Sequence, residues 1–164
     1  MGDDIEQRIK RIEDAIEQIG SRINTIVKSL EEQEHKSERE IKESMVLLTS
    51  AVEAMSIIRY YDLRSDKIGL DDLEGVLSCL QRIEEIRRHT DHDELREYAL
   101  EREKLIFGAF LELAKHKNIG PGEIVSLYLE EFGKDALREI VRIEDVLSTF
   151  GTDEALKWKQ LLEL

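Results

Sequence analysis

Apolar residues recur along the first part of the chain with a strict alternation of four and three. Ile5, Ile9, Ile12, Ile16, Ile19, Ile23, Ile26 and Leu30 are spaced 4-3-4-3-4-3-4, and the residues between them are mostly Glu, Gln, Arg, Lys, Asp and Ser. A stripe this narrow, with a period of 3.5, is a coiled-coil seam. A helix lying on a globular core carries a wider and less regular apolar face. The spacing predicts a helix over 5–30, about 39 Å long at ~1.5 Å per residue. A stripe of this kind is buried only when other helices cover it.

The next strong apolar position after Leu30 is Ile41, eleven residues on, across a polar stretch that holds no Gly or Pro. A step of eleven is a heptad plus a four-residue stutter, which a continuous helix absorbs by local unwinding. One helix from about residue 3 to about residue 62 is therefore expected, with a polar break near 31–40 as the rival. Ile41, Met45, Leu48, Val52 and Met55 resume the 4-3-4-3 spacing, and Val46, Leu47, Ala51, Ile57 and Ile58 widen the face. That widening predicts burial inside a bundle.

Asp62 to Gly69 reads as a loop. A helix over about Leu70–His89 follows, with Leu73, Val76, Leu77, Leu80, Ile83 and Ile86 on one face. Another is predicted over about Asp91–Lys117, with Thr90 as its N-cap and Leu95, Tyr98, Ala99, Leu105, Ile106, Ala109, Phe110 and Leu113 as its apolar positions. Asn118-Ile119-Gly120-Pro121-Gly122 is the strongest breaker in the chain, a Gly end-cap followed by Pro at a helix start. Three shorter helices are expected beyond it: Pro121–Phe132, Lys134–Thr149 and Thr152–Leu162. Phe132-Gly133 and Phe150-Gly151, 18 residues apart, repeat one device: a Phe that packs, a Gly that ends a helix, and an acidic start to the next. The apolar Trp158–Leu164 segment is expected to dock.

Composition narrows the classes. The 164 residues carry 24 Lys and Arg against 37 Asp and Glu, a net charge of -13. No segment is basic, and the longest basic runs are two residues (Lys10-Arg11 and Arg87-Arg88). Binding to nucleic-acid phosphates or anionic membranes is disfavoured. A single cysteine, Cys79, excludes an internal disulfide scaffold, and no apolar run reaches the ~20 residues that span a bilayer. Met1-Gly2-Asp3-Asp4 opens acidic, unlike a secretory signal. A soluble cytoplasmic protein is the expectation.

Candidate chemistry is sparse. His89-Thr90-Asp91-His92-Asp93-Glu94 is the densest run of metal-ligand types, with His89 and His92 as the weak candidates. No second ligand motif accompanies it, and it reads equally as a capped helix start. A di-iron bundle needs two Glu-x-x-His pairs, and only Glu32…His35 has that spacing. There is no phosphate-cradling glycine motif and no nucleophile elbow. Cys79 lies among Val76, Leu77, Leu80 and Ile83, where a thiol is inert packing. A helix-turn-helix with its turn at Gly133 would make Lys134–Thr149 the recognition helix. Only Arg138 and Arg142 on it suit DNA, with acids close to both. Met45, Met55 and Ile57-Ile58 read as core ahead of a partner groove, and Tyr60, Tyr61 and Trp158 as interface aromatics or bundle caps.

The sequence therefore predicts an all-α protein: a coiled-coil helix over 1–40, continuous into the next segment, then a helical bundle of about five helices over 41–164 with a sub-boundary near 118–122. Leu73, Leu77, Leu80, Leu105 and Phe110 are expected to carry that fold. The expected function is non-enzymatic and without cofactor: an oligomeric adaptor or scaffold that self-associates through Ile5–Leu30 and presents the bundle to another protein. Isoleucine at both seam positions favours trimers or tetramers over dimers. The alternative is an oligomeric DNA-binding regulator using Arg138 and Arg142, and a metal-binding helical protein stands behind that.

Overall fold

The structure is a computed structural model that describes residues 2–64 and 67–164, with side chains from Ile5 on. Ser65 and Asp66, within the expected loop, lie outside the described residues, as does Met1. Among the described residues there are six α-helices, one 3-10 turn and no strand. The protein is all-α, with a long first helix followed by shorter ones. The order is α1 Gly2–Leu63, a 3-10 turn Leu70–Leu73, α2 Glu74–His89, α3 Asp93–His116, α4 Pro121–Ile140 (two helical pieces meeting at a kink at Gly133), α5 Ile143–Phe150 and α6 Thr152–Leu162. No described helix is long and apolar enough to cross a membrane.

Helix α1 runs without interruption through the polar stretch 31–40. Nothing there opposes it: the residues are strong helix formers, and no Gly or Pro removes a hydrogen bond. The chain divides into two compact units, Met1–Lys42 and Glu43–Leu164.

In the second unit α2 packs on α3, α3 also packs on α4 and α5, and α6 packs on α4 and α5. At the centre, Tyr128 of α4 meets Phe107 edge-on at 4.8 Å and Phe110 at 5.5 Å, and stacks on Phe132 at 5.4 Å. Trp158 of α6 closes the cluster 6.1 Å from Phe107. The C-terminal segment docks through Trp158 and Leu162, both buried.

Several boundaries differ from expectation for local reasons. The stretch expected to open a helix at Leu70 first winds as a 3-10 turn, with the Gly69 N–H donating to Asp72 Oδ2 at 2.8 Å. Thr90 is not the N-cap of α3. It ends α2, its hydroxyl donates to Glu43 of α1 at 2.8 Å, and His92 stands at the α3 N-cap. The α3 end is made by Asn118, at φ 58°, rather than by Gly120. Its N–H bonds to Lys115 C=O and the next N–H to Ala114 C=O, a Schellman closure in which Asn takes the left-handed position usual for glycine. Gly120 instead caps α4, with Pro121 as its first residue.

The expected helix Lys134–Thr149 is broken. It stops at Ile140, Val141 and Arg142 are extended, and α5 begins at Ile143. Val141 is buried beside Ile140, so the break itself packs against the core. The two Phe-Gly turns repeat as the sequence implied. Gly133 (φ 79°, ψ 167°) and Gly151 (φ 93°, ψ -179°) share one conformation, in a region essentially closed to residues with a Cβ. Phe132 and Phe150 pack against the core beside them.

Candidate functional site

In the first unit the eight seam residues from Ile5 to Leu30 are each 50–64% exposed. They form one line of seven isoleucines and a leucine on a mostly polar helix. Soluble chains seldom leave such a line uncovered.

In the second unit α1 carries two apolar rows. Leu47, Ala54 and Ile58 are buried, with Ala51, Ile57 and Tyr61 packed beside them. The other row was expected inside the bundle and is not: Met45, Leu48, Val52 and Met55 are 43–66% exposed, as is Ile41 in the first unit. At ~100° per residue, Leu47 and Leu48 point to faces about 100° apart, so a helix seated through Leu47 turns Leu48 outward. The expectation of core packing for Met45 and Met55 is thereby corrected, whereas Ile58 is core.

Beside the exposed row lies a half-open groove of about 680 Å³ between α1 and α3. Leu48, Val52 and Met55 form one wall, and Tyr98 and Leu105 the other. Leu105 was expected in the core and is 48% exposed, whereas Leu73, Leu77, Leu80 and Phe110 are buried. Leu105 lies one residue from the buried Ile106, again about 100° around the helix. Arg102 stacks over the Tyr98 ring at 4.5 Å, and its buried Nε has no hydrogen-bond partner among the described residues.

A buried charge cluster joins α2, α3 and α4. Arg87 donates to Glu84 through Nε and Nη2, each at 2.8 Å, and its Nη1 is paired with Glu139. Arg87 Nε also lies 2.9 Å from Oε2 of Glu103, which is fully buried and accepts no aligned hydrogen bond. Burial, then the hydrogen bond and negative charge of neighbouring Glu84, push the Glu103 carboxyl up to about 9, against the pull of Arg87. Glu103 is thus a neutral acid at pH 7 that donates to Glu84. Burial also opposes the Glu84 charge, but hydrogen bonds from Glu103, Arg88 and Arg87 outweigh it and hold that carboxyl below its ordinary value. The buried Tyr128 hydroxyl, raised by burial and by Glu103, has no partner among the described residues. Glu84, Arg87 and Glu103 lie in the interior, while Glu139 and Arg88 at the edge of the cluster are exposed. Sequence patterning missed it because Glu103 sits among Glu101, Arg102 and Lys104, which look like one solvated face.

The other candidates are scattered. His89 ends α2 with its Nδ1 2.9 Å from the Glu85 carbonyl. His92 caps α3, and no group of three or more His, Cys, Asp or Glu among the described residues is placed to hold a metal ion. Arg138 lies on α4, whereas Arg142 precedes α5 and pairs with Glu101 at 2.7 Å. The break between them leaves no single recognition helix carrying both. Cys79 is buried, and burial raises its thiol above the ordinary value although Arg82 donates to it at 3.1 Å. Tyr60 is exposed, Tyr61 half-buried.

No protein-family model matches the chain, and no curated protein and no solved structure matches it.

Proposed function

We propose that the protein is a non-enzymatic oligomeric adaptor or scaffold. It self-associates through the isoleucine seam of α1 and presents the bundle of its second unit to another protein. One observation carries this reading: eight apolar side chains at 3.5-residue spacing lie half or more exposed along one helix. Fully burying an Ile or Leu side chain is worth about 1.5–3 kcal/mol, so half-exposed residues offer roughly 6–12 kcal/mol per chain across the seam, before the costs of association. Isoleucine at both seam positions favours three or four strands over two.

The test is light scattering on the full chain and on the double variant Ile16→Asp, Ile23→Asp. The wild type should show a multimer mass, and the variant the single-chain mass of 19.1 kDa with an intact bundle. A wild type of single-chain mass at tens of micromolar would overturn the reading.

A further inference from the structure

We infer that a second, parallel copy of this chain seats its α1 in the groove between α1 and α3, so that the interface includes the bundle surface around Val52 and Leu105. This rests on the assembly reading above and extends it beyond Leu30.

Three observations point to a second copy. Spacing is the first. The eleven-residue step from Leu30 to Ile41 is three helical turns to within about 20°, and the 4-3-4-3 row then continues through Met45, Leu48, Val52 and Met55. A copy wound in register along Ile5–Leu30 thus meets its own counterpart row, and Leu48, Val52 and Met55 of that row form one wall of the groove.

Area is the second. A standard interface buries about 800 Å² per partner, roughly 60% of it apolar, or about 500 Å². A fully buried Ile or Leu corresponds to about 60–120 Å². At the observed exposures the eight seam residues supply about 270–550 Å², which meets that figure only at the top of the range. Adding Ile41, Met45, Leu48, Val52 and Met55 brings the total to about 440–890 Å², and Tyr98 and Leu105 on α3 add to it.

Shape is the third. From Met45 to Met55 the positions flanking the row are Ser44, Thr49, Ala51 and Ser56. Small flanks let a second backbone approach closely enough for Met55 and Val52 to interdigitate with their counterparts, while Leu105 covers the outer side.

The test uses the full chain carrying Cys79→Ser, so that introduced cysteines are the only thiols. Ile16→Cys reports the seam and Val52→Cys the groove, each scored by covalent dimer under mild oxidation. Leu105→Glu, at an exposed position that leaves folding intact, is scored by dissociation on dilution. The expected result is crosslinking at both positions and at least a tenfold rise in the dissociation concentration for Leu105→Glu. Crosslinking at 16 but not at 52 would end the interface before the bundle, overturning this inference while leaving the seam assembly standing. Unchanged dissociation of Leu105→Glu would remove α3 from the interface and overturn it likewise. No crosslinking at either site, with a monomeric wild type, would remove the assembly itself.

Discussion

Glu103 makes the bundle's stability fall as pH rises across neutrality, opposite to what a surface carboxylate does. In the folded chain its carboxyl is pushed up to about 9, against 4.5 for the exposed group. Between those values the native state holds a proton that the unfolded chain has released. Protonation therefore contributes full stability below about pH 4.5 and progressively less as pH climbs toward 9. The slope is at most about 1.4 kcal/mol per pH unit, so from pH 5 to pH 8 the loss reaches at most about 4 kcal/mol. That is a large share of the 5–15 kcal/mol typical of a domain. Glu84, held below its ordinary value, contributes stability that is fully present above about pH 4.5 and is lost only as pH falls below it, so it leaves this range undisturbed. Glu103→Gln keeps a neutral donor toward Glu84 and removes the titration. Urea unfolding followed by the fluorescence of Trp158 isolates the bundle, because it is the only tryptophan and is buried against Phe107. The variant and the wild type should agree within about 1 kcal/mol at pH 5, and the variant should lead increasingly up to pH 8. Parallel stabilities across that range would refute the assignment of a neutral buried acid.

Other consequences are equally direct. Arg87→Met removes the cation that holds Glu84, Glu103 and Glu139 together, and should cost about 3–5 kcal/mol in the same unfolding assay; a loss under 1 kcal/mol would show the cluster to be energetically idle. Gly133→Ala and Gly151→Ala should each cost about 1–3 kcal/mol purely through backbone strain, since no atom lies within 4 Å of the added Cβ; if both variants unfold at wild-type urea concentrations, the glycine conformations are not needed. Cys79, fully buried and with its thiol raised, should resist a thiol-specific reagent in buffer at pH 7 and react on denaturation. Rapid labelling of the folded protein would contradict the packing described around it.

The elements most legible in the sequence were those built from local rules. A seam of eight apolar residues at 3.5 spacing and an uninterrupted run of helix formers suffice for a long helix, because every hydrogen bond is made within it. Gly133 and Gly151 were readable for the same reason: their role is set by backbone sterics at one residue. Boundaries that depended on a distant partner were not. Thr90 looked like an N-cap until the structure placed Glu43 beside it, and Lys134–Thr149 looked continuous until the structure showed Val141 and Arg142 extended, with Val141 packed in the core.

The candidate interface divides along the same line. Its N-terminal row was visible as a pattern, but the row from Met45 to Met55 was merged with the neighbouring Leu47–Ile58 row, and Leu105 was assigned to the wrong side of its helix. The amino-acid sequence alone determined the helical class, the strict seam and the two glycine breaks, since these follow from periodicity and local conformational energy. Only the tertiary structure decided which of two adjacent apolar rows is core and which faces outward, and which acidic residue is buried. Those outcomes depend on how each helix is rotated about its axis, and that rotation is set by packing against residues far away in the chain, which periodicity does not encode.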